Sequence, residues 1–234
     1  MIEIIPAIMS ENLGDIRGKL SMIRGGIIRT IQIDLCDGIY VPRTTWPYND
    51  TDTQGLTKIL NEEEGLPFWE EFDYEFDLMV KDAKDKMGTY LQMGAKRLIF
   101  HVGAEDQEDG AFRDFLEGID MAVRDNVEIG IAIGTTTDIE KVVAPLIPFV
   151  DFVQCMGIDK IGFQSQPFDP RVYDQIKKIK KLFPDMTVSV DGSVNMDTAH
   201  DLIEAGADRL VMGSAIWKAV DVRETITNFQ NLVI

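Results

Sequence analysis

Histidine and cysteine are nearly absent from this chain, with two of each in 234 residues. The cysteines, Cys36 and Cys155, form no CxxC pair and sit in apolar, strand-like runs. They read as buried free thiols in a reducing compartment, not as a redox or zinc motif. Positive charge is scarce too: 23 Lys and Arg stand against 40 Asp and Glu, a net charge of −17. So acidic a chain is a poor partner for nucleic acid or an anionic membrane, and both are excluded. No apolar run approaches the roughly 18 residues of a membrane span. The opening MIEIIPAIMS lacks a basic leader region, and the chain is expected to be cytoplasmic. Low-complexity linkers are also missing, so 1–234 reads as a single domain. A phosphorylated ligand would meet a repulsive global field and must be held locally, by backbone dipoles or a bound cation.

What is present is alternation. Short β-branched runs predict strands over 3–8, 29–35, 74–80, 97–102, 128–133, 149–156, 187–190 and 209–212. Helical patterns lie between them: 10–24 with Ser10 as cap, 82–93, 108–124, a helix begun at Asp138, and 170–183 with Pro170 in its first turn. Two more follow, over 195–205 between Asn195 and Gly206, and over 222–232. The stretch 43–73 is irregular and polar, with a short helix over 56–61, and reads as an expanded loop. Eight strands alternating with helices give an α/β fold, a single (β/α)8 barrel of the TIM type.

Chemistry in such a barrel sits at the C-terminal strand ends. Those ends carry Gln32, Asp34 and Asp37 on strand two, Asp77 on strand three and His101 on strand four. Met156 ends strand six and Asp191 ends strand seven. Period two puts Gln32 and Asp34 on one face. A carboxylate inside an apolar strand is costly unless paired, hydrogen-bonded or metal-bound. Three of them, in IQIDLCDG, YEFDLMV and VSVDGSV, point to one shared site. The turns Gly192-Ser193 and Gly213-Ser214, after strands seven and eight, are rich in free N–H and suit a phosphate. No strand ends in lysine, which argues against a lyase or synthase needing one.

The runs IPAIMSENL, IQIDLCDGIYVP, FDLMV, FHVGAE, VSVDGSV and AGADRLVMGSAIW resemble, in order and spacing, the ribulose-phosphate 3-epimerase family. The resemblance spans nearly the whole chain apart from an insertion between Pro42 and Asp73. It implies a cytoplasmic carbohydrate epimerase acting on a phosphorylated ketose, ribulose 5-phosphate or a six-carbon relative such as allulose 6-phosphate, and a homo-oligomer. Asp34 and Asp191 match the family's acid–base pair, which moves a proton off one face of C3 and back onto the other through an enediolate. Met9, Met156 and His101 match positions around the substrate, although core packing explains them equally well. Gly192, Ser193, Gly213 and Ser214 match its phosphate turns.

Several positions depart from the family. Its metal site adds two histidines to the aspartates, and here those positions hold Gln32 and Asp77. An all-oxygen set of Gln32, Asp34, Asp77 and Asp191 suits Mg²⁺ or Mn²⁺ better than Zn²⁺, with Fe also open. The alternative is a sugar-phosphate binder that has lost the metal. Ser193 replaces the second glycine of VDGG, a mild change unless the turn needs φ > 0. Ala7 replaces a substrate-contacting serine. The lid after strand six reads Lys160, Ile161, Gly162, Phe163, Gln164, Ser165, Gln166 where the family has Pro-Gly-Phe-Gly-Gly-Gln. Lys160 is a candidate phosphate cation.

Overall fold

Runs of Val, Ile, Leu and Phe that are apolar on both faces need helices on one side and a filled interior on the other. The computed structural model describes residues 2–49, 51–105, 110–163 and 166–233. Eight parallel strands form: β1 (Glu3–Ile8), β2 (Thr30–Cys36), β3 (Asp73–Met79), β4 (Ala95–His101), β5 (Glu128–Ile133), β6 (Phe152–Met156), β7 (Thr187–Asp191) and β8 (Arg209–Met212). They pair in chain order, and β8 pairs with β1 to close the barrel. Outside it lie α1 (Leu13–Ile23), α2 (Thr53–Leu60), α3 (Met87–Gln92), α4 (Ala111–Glu117), α5 (Met121–Arg124), α6 (Arg171–Leu182), α7 (Met196–Ala205), α8 (Ser214–Trp217) and α9 (Val222–Gln230). Among the described residues no helix is long and apolar enough to cross a membrane.

Period two sorts each strand. On β2, Ile31, Ile33 and Leu35 join the main apolar cluster with Ile16, Leu20 and Ile59 of the helices. Thr30, Gln32 and Asp34 alternate with them and are buried as well. Charges close the N-terminal end of the barrel. There Arg97 pairs with Glu3 at 3.1 Å, Glu75 at 3.5 Å and Glu128 at 3.2 Å, while Arg209 reaches Glu3 at 3.1 Å and Glu128 at 2.8 Å. Buried ions are tolerated when so paired. That end is a plug, which leaves the other end for chemistry.

Several boundaries differ from the sequence expectation, each for a local reason. Asn12, not Ser10, caps α1, because its side chain accepts from Asp15 N, whereas the Ser10 hydroxyl donates to the Asp15 carboxylate at 2.8 Å. The stretch expected as one helix over 108–124 holds two, broken where Gly118 ends α4 and Asp120 caps α5; residues 108–109 lie outside the described residues. Strand six begins at Phe152 because Pro148 lies in a single 3₁₀ turn, Ile147–Phe149. The helix begun at Asp138 is one wide turn, Ile139–Val143. In 82–93 a 3₁₀ turn, Ala83–Lys86, precedes α3. Among the described residues of 43–73 the one helix is α2, capped by Asp52. Cys36 and Cys155 are buried free thiols.

Candidate active site

Register brings three carboxylates together. Asp34 and Asp77 are direct partners across β2 and β3, and Asp191 ends β7. One oxygen from each lies within 4.8 Å of the others. Gln32, one pleat repeat below Asp34, is fully buried. Its Nε2 donates to Asp34 Oδ1 and to Asp191 Oδ2, both at 2.9 Å, joining strands that are not neighbours. His101 Nε2 meets Asp77 Oδ1 at 2.7 Å. Within this cluster of described residues, Gln32 Oε1, Asp77 Oδ2 and His101 Nδ1 are buried without a protein partner.

Electrostatics follow from this crowding. Burial, then the Asp77 charge, pushes Asp34 up to about 7, against the pull of the Gln32 bond. Asp191 is raised well above the usual carboxylate range, first by burial and then by Asp34 and Asp77. Like charges in one dry site cannot all ionise freely, so one carboxyl holds a proton near neutral pH. Such a pair can serve as acid and base in one turnover.

A small cleft, with room of about 70 Å³, opens above the three carboxylates, all of which line it. Met9, Met156, Gly192, Ser193, Gly213 and Ser214 line it too, as does Ala7. Ser193 has φ +54° and Gly192 φ +109°. The turn therefore does need positive φ at both positions, and serine in place of glycine is a strained choice. Its hydroxyl donates to the Gln166 carbonyl, joining the turn to the loop after β6. An added Cβ on Gly157 would lie 2.3 Å from Gly192 O, so β6 and β7 turns touch through bare backbone. Ser214 begins the one-turn helix α8, and Trp217 Nε1 donates to Ala7 O at 2.6 Å, tying that helix to β1.

The sequence matches the Ribulose-phosphate 3 epimerase family over residues 3–217. The chain belongs to that family. A ribulose-phosphate 3-epimerase of Bacillus subtilis is 26% identical over 235 residues, 98% of this chain and 99% of that protein. One from Mycobacterium tuberculosis is 25% identical over 222 residues, covering 93% and 87%. Among solved structures, 3-hexulose-6-phosphate synthase from Salmonella typhimurium aligns with a TM-score of 0.66 at 14% identity, over 99% of this chain and 98% of that one. KGPDC from Streptococcus mutans aligns with a TM-score of 0.68 at 14% identity, over 99% and 96%. At that identity the likeness is evidence for the fold alone.

For this member of the epimerase family, two sequence candidates lie behind the cavity instead of lining it. Gln32 and His101 are covered by the carboxylates they hold, and Gln32 turns its NH₂, not its oxygen, towards them. Lys160 is exposed and does not line the cavity. Of its lid, Gly162, Phe163 and Gln166 do, while Gln164 and Ser165 lie outside the described residues. Asp37, grouped by sequence with the strand-end acids, ties loops instead: it accepts from the N–H of Ile39 at 2.8 Å, Tyr40 at 3.0 Å and Lys81 at 2.8 Å. The Asp37-Gly38 turn chemistry is the signal for that role. Met79 was missed as a lining residue, although it follows Asp77 by two on the same face of β3.

Proposed function

We propose that this chain is a 3-epimerase of a ketose phosphate, with ribulose 5-phosphate the first candidate. The observation that carries the reading is the clamped pair, Asp34 and Asp191, on the floor of a cavity walled by two small-residue turns. Gly192, Ser193, Gly213 and Ser214 offer backbone N–H and hydroxyl groups to a phosphate, which a chain of charge −17 would otherwise repel. With phosphate fixed, C3 of the ketose rests over the carboxylates. One aspartate, ionised, takes the C3 proton, and the other, protonated, delivers one to the opposite face of the enediolate. Raised proton affinities at both residues suit these opposite states near neutral pH. Met9 and Met156 present apolar walls that limit water at the planar intermediate.

A divalent cation fits this site. Asp34, Asp77 and Asp191 supply a close oxygen set, and Asp77 Oδ2 is buried with no protein partner. Oxygen ligands favour Mg²⁺ or Mn²⁺ over Zn²⁺. Gln32 would add its Oε1 only with its amide turned over. When bound, the cation would stabilise negative charge on the substrate's oxygens.

The test is proton exchange in D₂O. Wild type should place deuterium at C3 of ribulose 5-phosphate and form its C3 epimer. Asp34→Asn and Asp191→Asn should each lose epimerisation by about 10²–10⁴-fold. Each should keep exchange with one epimer only, and not the same one. No exchange by wild type with Mg²⁺ or Mn²⁺ supplied would leave a sugar-phosphate binder, the reading that the protein-only clamp of Gln32 and His101 favours.

A further inference from the structure

The two oxygens of Asp77 are treated differently by the fold. Oδ1 is held by His101 Nε2 at 2.7 Å, whereas Oδ2 is buried and has no partner. As a cation's ligand Asp77 is ionised and can only accept, so in that state Nε2 donates this hydrogen bond. The imidazole is itself fixed. It is 1% exposed, lies two residues beyond Ile99, the register partner of Asp77, and carries the Tyr40 ring at 5.6 Å between centroids. Gly103 lets Tyr40 come in, because an added Cβ there would lie 3.1 Å from the tyrosine hydroxyl. Tyr40, His101 and Asp77 thus form a packed row that ends at the site, with each member limiting the rotation of the next.

We propose that His101 is a positioning residue for a divalent-cation site formed by Asp34, Asp77 and Asp191. By holding one oxygen of Asp77 it fixes the carboxylate plane and leaves a single oxygen to offer. This rests on the metal-assisted reading above and adds a residue to it. In the family pattern an imidazole stands on strand three itself; here that position is Asp77, and an imidazole from the neighbouring strand acts through it. Partners that orient a ligating carboxylate are worth about 10–100-fold in metal affinity. A carboxylate free to rotate would have to be ordered as the cation binds, which weakens binding through lost entropy.

Mn²⁺ titration, followed by loss of the free-ion electron paramagnetic resonance signal, tests this without any turnover. Wild type should bind about one Mn²⁺ per chain. His101→Gln extends an amide N–H towards the place of Nε2 and should bind within about threefold of wild type. His101→Leu and His101→Asn, the second polar but too short to reach Asp77, should bind about 10–100-fold more weakly. Thermal melts identify the folded variants, and His101→Asn carries the test if His101→Leu does not fold. Wild-type affinity in His101→Asn would overturn the proposal and leave the metal reading intact. So would an equal loss in His101→Gln and His101→Asn, because the donated proton would then not be what matters. No Mn²⁺ binding by wild type would overturn both the proposal and the metal, and C3 exchange would still report on the two-aspartate reading separately.

Discussion

Gln32 gives both amide protons to carboxylates from strands that do not touch, so it sets the spacing of the candidate acid–base pair. Those bonds also lower the proton affinity of Asp34 and Asp191, against the burial that raises it. Gln32→Leu keeps roughly the volume and removes both bonds. Each carboxyl then holds its proton to higher pH, and a base that must be ionised is available only further into the alkaline range. The acid limb of kcat/KM against pH should therefore move up, by about one unit for two lost bonds of about 1 kcal/mol each, shared between two acids. An unmoved limb with a lower plateau would mean that Gln32 only packs. This clamp was half legible in the sequence. Period two puts Gln32 and Asp34 on one face, but the bond to Asp191 joins residues 159 apart and exists only once the barrel closes.

At the scale of elements, strands were easier to read than helices. A buried parallel strand is announced by a continuous β-branched run, and 3–8, 128–133 and 209–212 match their strands to the residue. Helices here are short and interrupted, and their limits are decided by side chains competing as caps, as with Ser10, Asn12 and Asp15. Pairings between elements were not legible. Asp77 with His101, or Arg97 with three glutamates, depend on register, which no local pattern states. The turn after β7 gives a prediction at this scale. Ser193 carries the cost of φ +54°, about 1 kcal/mol, and regains a similar amount through its bond to the Gln166 carbonyl. Ser193→Gly should therefore melt within a few degrees of wild type, having removed both terms. Ser193→Ala keeps the strain and loses the bond, and should be less stable by about 1 kcal/mol. Equal melting of the Ala variant and wild type would show that the hydroxyl tether contributes nothing.

The whole molecule concentrates acids it cannot easily ionise. Burial pushes Asp34 and Glu75 up to about 7, and Asp191 is raised as well. The folded chain therefore keeps protons that the unfolded chain has released between about pH 4 and pH 7. Where the native state binds more protons, stability falls as pH rises. For Asp34 and Glu75 the contribution is complete below their unfolded values near 4 and is lost on passing through about 7. Acids shifted the other way act elsewhere: Asp169, held down to about 2 by Arg171, matters only below about pH 4. Chelator-treated protein should thus melt at a lower temperature at pH 8 than at pH 5. A penalty of a few kcal/mol corresponds to a fall of about 10 °C for a chain of this size. Adding Mn²⁺ at about 100 times its dissociation constant should restore about 2.7 kcal/mol at pH 8. At pH 5 it should restore less, because protons compete for the same carboxylates. Asp34→Asn should flatten the pH dependence, since it removes one of the groups that must ionise in the dark of the barrel. Differential scanning calorimetry from pH 5 to 8, with and without Mn²⁺, measures all of these together. A melting temperature that rose steadily to pH 8 in the metal-free protein would mean that the three-carboxylate cluster relaxes or hydrates on ionisation, and the closely packed acid–base pair would lose its electrostatic basis.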